Sequence, residues 1–348
     1  MTLDFWMQVG WGLLLLVLIV ADCAMFTNAI EWLGKRLNLS DGAVGSVLAA
    51  VGTALPETMM PIVALSAGLL DPKISLRVGQ DIGVGAILGA PFLLSTLAMG
   101  LTGLTFIIQK AVGKRDGLMR LDMPWTRRDL KYFFVAYALL ISGHFLPMYG
   151  IRVGLAVTLL MLYGLYVTRT LMKAQKDTAL SEEVHDELQP LWFAPRFSVP
   201  SMLSIWLQVG VSLGALIWMA HEFVDVIQAT AETLHIAPLV LSLLIIPIAT
   251  ELPEKFNSVV WVLHKKDNLA LGNLTGAMVF QSCIPGVVGL LMTPWHLEGL
   301  AWANVIFCVV SSAIMFLFAR GGALTPWVFA SGGILYLGYL SYVWQTVF

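Results

Sequence analysis

The sequence predicts an all-α integral membrane protein of about ten transmembrane helices, arranged as two inverted five-helix repeats. Three observations carry this. Of 348 residues, 58% are hydrophobic and 12% are charged, about half the charged share of a soluble domain. Apolar runs follow one another with short polar joints, and a bilayer core takes roughly 20 such residues per helix. A Leu-Pro-Glu motif set in apolar sequence occurs twice, at 55–57 and at 252–254.

The runs place spans near 6–33, 42–70, 82–109, 131–148, 151–172, 202–233, 237–263, 269–291, 300–319 and 325–346. The first has no basic residue before it and exceeds the length of a signal-peptide core, so it is read as a retained span. Between the fourth and fifth, Pro147 and Gly150 mark a tight turn within His144 to Arg152. Residues 173–200 carry Glu182, Glu183, Asp186 and Glu187 and form the one sizeable polar segment. They read as a cytoplasmic linker between a first repeat, 1–172, and a second, 201–348. With the N-terminus outside, only Lys73, Arg77 and Arg152 fall in outer loops and Lys255 within a span; the rest of the 20 Lys and Arg lie in inner loops. Cytoplasmic loops carry such an excess. Both termini are therefore expected outside, in a multi-pass protein of the cell (inner) membrane.

The repeat is visible residue by residue. Ala54-Leu55-Pro56-Glu57 returns as Glu251-Leu252-Pro253-Glu254 at an offset of 197, which also matches Phe26 to Phe223, Ile30 to Ile227, Leu37 to Leu234 and Thr53 to Thr250. A second block, Gly85 to Ala90, matches Gly272 to Ala277 at an offset of 187. The first half thus holds ten extra residues between the blocks, placed most simply in the loop around Asp71 to Gln80. Five spans per half is an odd number, so the second half enters the membrane from the opposite side. Transporters use such inverted repeats to place a site at the midplane.

Composition excludes other classes. A net charge of −2 with clustered charges offers nothing to nucleic acid. Cys23, Cys283 and Cys308 lie inside apolar stretches and read as small buried residues, not as a disulfide framework or metal set. No HExxH and no Gly-x-Ser-x-Gly elbow is present, so neither an enzyme nor a cofactor is expected. His221-Glu222-Phe223-Val224-Asp225 lacks the second histidine of a zinc protease.

Glu57 and Glu254 each sit inside a long apolar span, where an ionisable group marks a pathway or a site. Pro56 has no N–H and so releases the carbonyl of Gly52; Pro253 releases that of Ala249. A freed carbonyl, a hydroxyl and a carboxylate therefore meet twice: Gly52, Thr53 and Glu57, then Ala249, Thr250 and Glu254. Oxygen-only sets of this kind suit hard cations such as calcium or sodium. Asp22 and Asp225, in the first and sixth spans, either line a watery approach or pair with a neighbour. Asp81 and Asp267 lie near span ends and read as caps or solvated charges. The glycines at 85, 89, 272 and 276 form small-xxx-small patterns that let helices approach closely.

Gly-Thr-Ala-Leu-Pro-Glu at 52–57, Ala-Thr-Glu-Leu-Pro-Glu at 249–254, and the later stretches Asp81 to Gly89 and Asn268 to Gly276 resemble the two alpha-repeats of the cation/calcium exchanger superfamily, which includes the sodium/calcium exchangers. The resemblance implies that spans two, three, seven and eight surround the ions. Glu57 and Glu254 would be the central calcium ligands, with Thr53 and Thr250 helping to hold sodium or calcium. The implied function is a secondary-active antiporter exchanging calcium for sodium; the alternatives are a divalent cation/proton antiporter and a degenerate relative that no longer transports.

The chain also departs from the family. Where members carry a serine and then an Asn or Asp, it has Ala90 and Leu94 in one half and Ala277 and Gln281 in the other. Only Gln281 keeps a side-chain oxygen, and calcium takes about six to eight. Glu251 is new at the place of Ala54; it either replaces the lost ligands or pairs with Lys255, four residues on.

Overall fold

The structure, a computed structural model, describes residues 3–36, 55–70, 74–115, 119, 121–178, 189–194, 200–321 and 324–347, although the side chains of Ala249 and of residues 252–257, among others, lie outside the description. Ten helices run through the described residues: α1 (Leu3–Arg36), α2 (Leu55–Leu70), α3 (Leu76–Ala111), α4 (Met123–Ser142), α5 (Tyr149–Thr178), α6 (Met202–Leu234), α7 (Pro238–Leu263), α8 (Asp267–Met292), α9 (Leu300–Arg320) and α10 (Pro326–Val347). Among the described residues, six stretches are long and apolar enough to cross a membrane: Phe5–Ile30, Leu76–Ala111, Tyr149–Met172, Met202–Leu234, Asp267–Met292 and Leu300–Arg320.

α3 is the axis of the fold. It is buried over nearly its whole length, with α2 and α7 along its first half and α10 along its second. α1 lies lengthwise on α6, and α8 packs on α4 and α5. Between apolar helices in lipid there is little hydrophobic driving force, so close van der Waals fit decides the contacts. At Gly85 a Cβ would come within 1.9 Å of Ser242 Oγ, and at Gly89 within 2.4 Å of the Pro247 ring. These two glycines therefore set how closely α3 approaches α7. The counterparts differ: Gly276 has Tyr166 Oη at 3.3 Å, and Gly272 meets nothing within 4 Å among the described residues.

Two expectations are corrected and one feature is new. The fourth helix begins at Met123, eight residues before the expected span, and ends at Ser142. Asp122 caps it by accepting from Trp125 N, Pro124 sits at its first positions, and the charged Arg128 and Asp129 pair with each other, so the polar run is helical. The ten extra residues of the first half do not build a long loop. α2 runs 13 residues past Glu57 where α7 runs 9 past Glu254, and α3 starts 9 before Gly85 where α8 starts 5 before Gly272. Most of the insertion thus adds about one turn to each helix. Finally, α3 holds a π turn at Leu94–Ala98, just after Pro91, which cannot donate to the helical ladder.

The polar segment between the halves is partly docked. α5 continues as helix to Thr178. Beyond it, Asn28 Nδ2 donates to the carbonyls of Gln189 (3.2 Å) and Pro190 (3.3 Å), Trp32 Nε1 to that of Gln189 (2.8 Å), and Phe193 N to Gln208 Oε1 (3.0 Å). Residues 189–193 are thereby held against α1 and α6.

Candidate functional site

α2, α3, α7 and α8 each pack against the other three, and the described candidate residues sit on these helices. Glu57 lies in the first turn of α2 and is 5% exposed. Thr250 and Glu251 follow one another on α7, and Gln281 lies on α8; all are buried, Glu251 completely. The Gln281 amide Nε2 donates to Glu251 Oε1, across 30 residues of sequence. Gln281 Oε1 finds no hydrogen-bond partner among the described residues. Thr250 donates its hydroxyl to the Ile246 carbonyl at 3.1 Å, which leaves its oxygen lone pairs free to accept.

Gly52 and Thr53 lie outside the described residues, as do the side chains of Ala249, Glu254 and Lys255. The fold therefore brings together Glu251 and Gln281, two residues that the sequence singled out separately. On α3 the corresponding surface is apolar: Ala90 and Leu94 are buried at 3% and 0% exposure. The oxygen donors seen here come from α2, α7 and α8.

Asp267 is neither a cap nor solvated. It is fully buried and paired with Arg115. Arg115 also donates to the Val262 carbonyl at 2.9 Å and stacks on Phe106 at 4.3 Å, while Gln109 Nε2 reaches the Leu263 carbonyl at 3.0 Å. The end of α3 thus closes the joint between α7 and α8 by satisfying the carbonyls that a helix C-terminus leaves open. Sequence reasoning missed this because Arg115 stands in a loop. Asp22 takes the pairing option: Ser212 of α6 donates to its Oδ1 at 2.8 Å and to its carbonyl at 3.1 Å.

Asp81 lines a cavity of about 400 Å³ with Arg77, Gln80, Ala237, His296 and Glu298. It opens where α3, α7 and α9 begin, beside the 293–299 turn. His296 Nε2 lies 3.1 Å from Glu298 Oε1. The charge at Asp81 was the one sequence signal for it.

The sodium/calcium exchanger protein family matches residues 7–172 and 204–347. The putative antiporter CaxA of Alkalimonas amylolytica is 24% identical over 335 residues, 94% of each chain. Inner membrane protein YrbG of Escherichia coli (strain K12) is 26% identical over 305 residues, 87% of this chain and 85% of that one. Among solved structures, the H+/Ca2+ exchanger CAX aligns with a TM-score of 0.65 at 16% identity, covering 97% of this chain and 88% of that chain. The sodium-calcium exchanger NCX_Mj aligns with a TM-score of 0.58 at 20% identity, covering 97% and 99%. At these identities the two structures establish the fold alone.

Proposed function

Because this chain belongs to the sodium/calcium exchanger protein family, we propose that it is a secondary-active antiporter exchanging calcium for sodium at a site between two inverted halves. Glu57 and Glu254 are the central calcium ligands in this reading. Thr53 and Thr250 and the carbonyls of Gly52 and Ala249 add oxygens, and Glu251 with Gln281 supplies those missing at Ala90, Leu94 and Ala277. The observation that carries it is the buried contact between Glu251 and Gln281, in a centre where α2, α3, α7 and α8 all meet. A carboxylate and an amide oxygen placed together offer two oxygens to a cation, and in a low-dielectric interior a negative charge there attracts one strongly.

The ten helices are each a span in this reading, 1–172 and 201–348 being the halves and 173–200 the linker. Exchange of the halves turns α1 into α6, α3 into α8 and α10 into α5. The packing of α1 on α6, and of α3 on α10 as α8 on α5, supports the repeat. Exposed Trp6, Trp206, Trp327 and Trp344 stand at helix ends, where tryptophans mark membrane interfaces. Both termini then lie outside the cell (inner) membrane.

A second reading exchanges a divalent cation for protons. It is favoured by the apolar α3 surface at Ala90 and Leu94, which removes two side-chain donors that sodium would use. Purified protein in liposomes decides: calcium uptake driven by an imposed sodium gradient supports the first reading, uptake driven only by a proton gradient the second, and uptake under neither rejects both.

A further inference from the structure

Residues 293–299 join α8 to α9 and form one wall of the cavity that holds Asp81. Two residues of this turn have positive φ, Trp295 at 52° and Gly299 at 48°. Glycine takes such a φ freely, but a bulky side chain there strains the chain. Strain of this kind persists only where the surroundings hold it, and three hydrogen bonds from neighbouring elements do so. Trp295 Nε1, on a fully buried ring, donates to the Leu140 carbonyl of α4 at 2.8 Å. Arg152 of α5 donates to the Thr293 carbonyl. Leu297 N donates to Nδ1 of His144, just past the end of α4, at 3.0 Å.

The last of these bonds depends on protonation. A ring nitrogen accepts only while it bears no hydrogen, so the Leu297 N–H requires a neutral His144 with its hydrogen on Nε2. A proton on Nδ1 turns that acceptor into a donor facing a donor, and the amide of Leu297, a residue 2% exposed, loses its bond. A second histidine adds to the effect. His296 stacks on His144 with ring centroids 4.9 Å apart and planes 30° from parallel, and its Nε2 lies 3.1 Å from Glu298 Oε1. Its protonated form is the one that pairs with Glu298, and two imidazolium rings stacked at this distance repel. The other charged groups around the turn are Arg152, which lies over Tyr149, and Arg77 and Asp81 of α3 across the cavity. From α9, His144 meets the uncharged ring of Trp302 at 5.2 Å.

We propose that the 293–299 turn is an acid-released flap over the Asp81 cavity and that His144 is its latch. With His144 neutral, the Leu297 bond seats the turn against the end of α4 and the cavity keeps its wall. Protonation of His144 unseats Leu297, parts the stacked rings and leaves the strained turn held by Trp295 and Arg152, so the cavity opens more widely. Hydrogen exchange of the full chain in detergent tests it, read on the Leu297 amide and corrected for the pH dependence of the intrinsic rate. Protection should fall several-fold between about pH 8 and about pH 5.5, the range over which an imidazole takes up its proton, while the α9 amides keep theirs. His144→Asn places an amide oxygen where Nδ1 stands and does not titrate, so its protection should be the same at both pH values. His144→Leu offers no acceptor and should leave the amide poorly protected at both. Protection in the parent that does not change with pH, a fall shared by the α9 amides, a pH dependence that survives in His144→Asn, or full protection in His144→Leu each overturns the proposal. Should either variant not accumulate, the parent's pH series with α9 as its internal control still decides.

Discussion

Arg115 and Asp267 form a buried ion pair that ties the loop after α3 to the first turn of α8. Breaking such a pair by removing one partner leaves an uncompensated buried charge and costs about 3–5 kcal/mol, whereas replacing both partners with apolar groups is often neutral. Arg115→Met should therefore lower the melting temperature strongly, and Arg115→Met with Asp267→Leu should regain most of it. If the double variant melts no higher than the single one, the backbone contacts of Arg115 matter more than the pair.

Glu57→Gln and Glu254→Gln should each abolish calcium flux in liposomes while the protein still inserts and gives an unchanged elution profile. Each change keeps the shape and removes a charge. A midplane ligand loses its attraction to a divalent ion, whereas a helix-packing residue would hardly notice. Flux retained in both variants would move the site to Glu251.

The Gln281 amide bonded to Glu251 leads to a graded effect. A hydrogen bond to a charged group contributes about 1.5–3 kcal/mol, and each 1.4 kcal/mol is tenfold in affinity. Gln281→Leu should raise the half-saturating calcium concentration about tenfold or more, with little change in maximal rate. An unchanged calcium dependence would exclude this pair from the ion path.

Lys255 follows Glu254 directly, at the position of Thr58 in the other half. A buried ammonium needs a partner or loses its proton. Acting as a tethered cation beside the site, it would take the place of a sodium ion. Lys255→Met should then raise the Hill coefficient for sodium or steepen the voltage dependence. Neither would change if Lys255 faced a polar crevice elsewhere.

Tags placed at either terminus should be accessible to impermeant reagents on intact cells. The inner-loop bias of Lys and Arg predicts this orientation, and five spans in each half would bring the C-terminus back to the same side. Protection of one tag alone would mean an odd total of spans and would break the inverted-repeat reading with it.

The membrane character, the order of the helices and the paired Leu-Pro-Glu motifs were legible in the sequence because each is local: an apolar run or a motif is complete within a few turns of chain. Helix ends were less so. The start of α4 at Met123 depends on the Asp122 cap and on Arg128 neutralising a buried Asp129, and neither is visible in hydropathy. That Gln281 meets Glu251 and that Arg115 covers Asp267 were decided only by tertiary structure. Each depends on the rotation of two helices about their own axes and on their distance of approach. That geometry is set by shape fit, such as Gly85 against Ser242 and Gly89 against Pro247, and no single stretch of chain contains both sides of the fit.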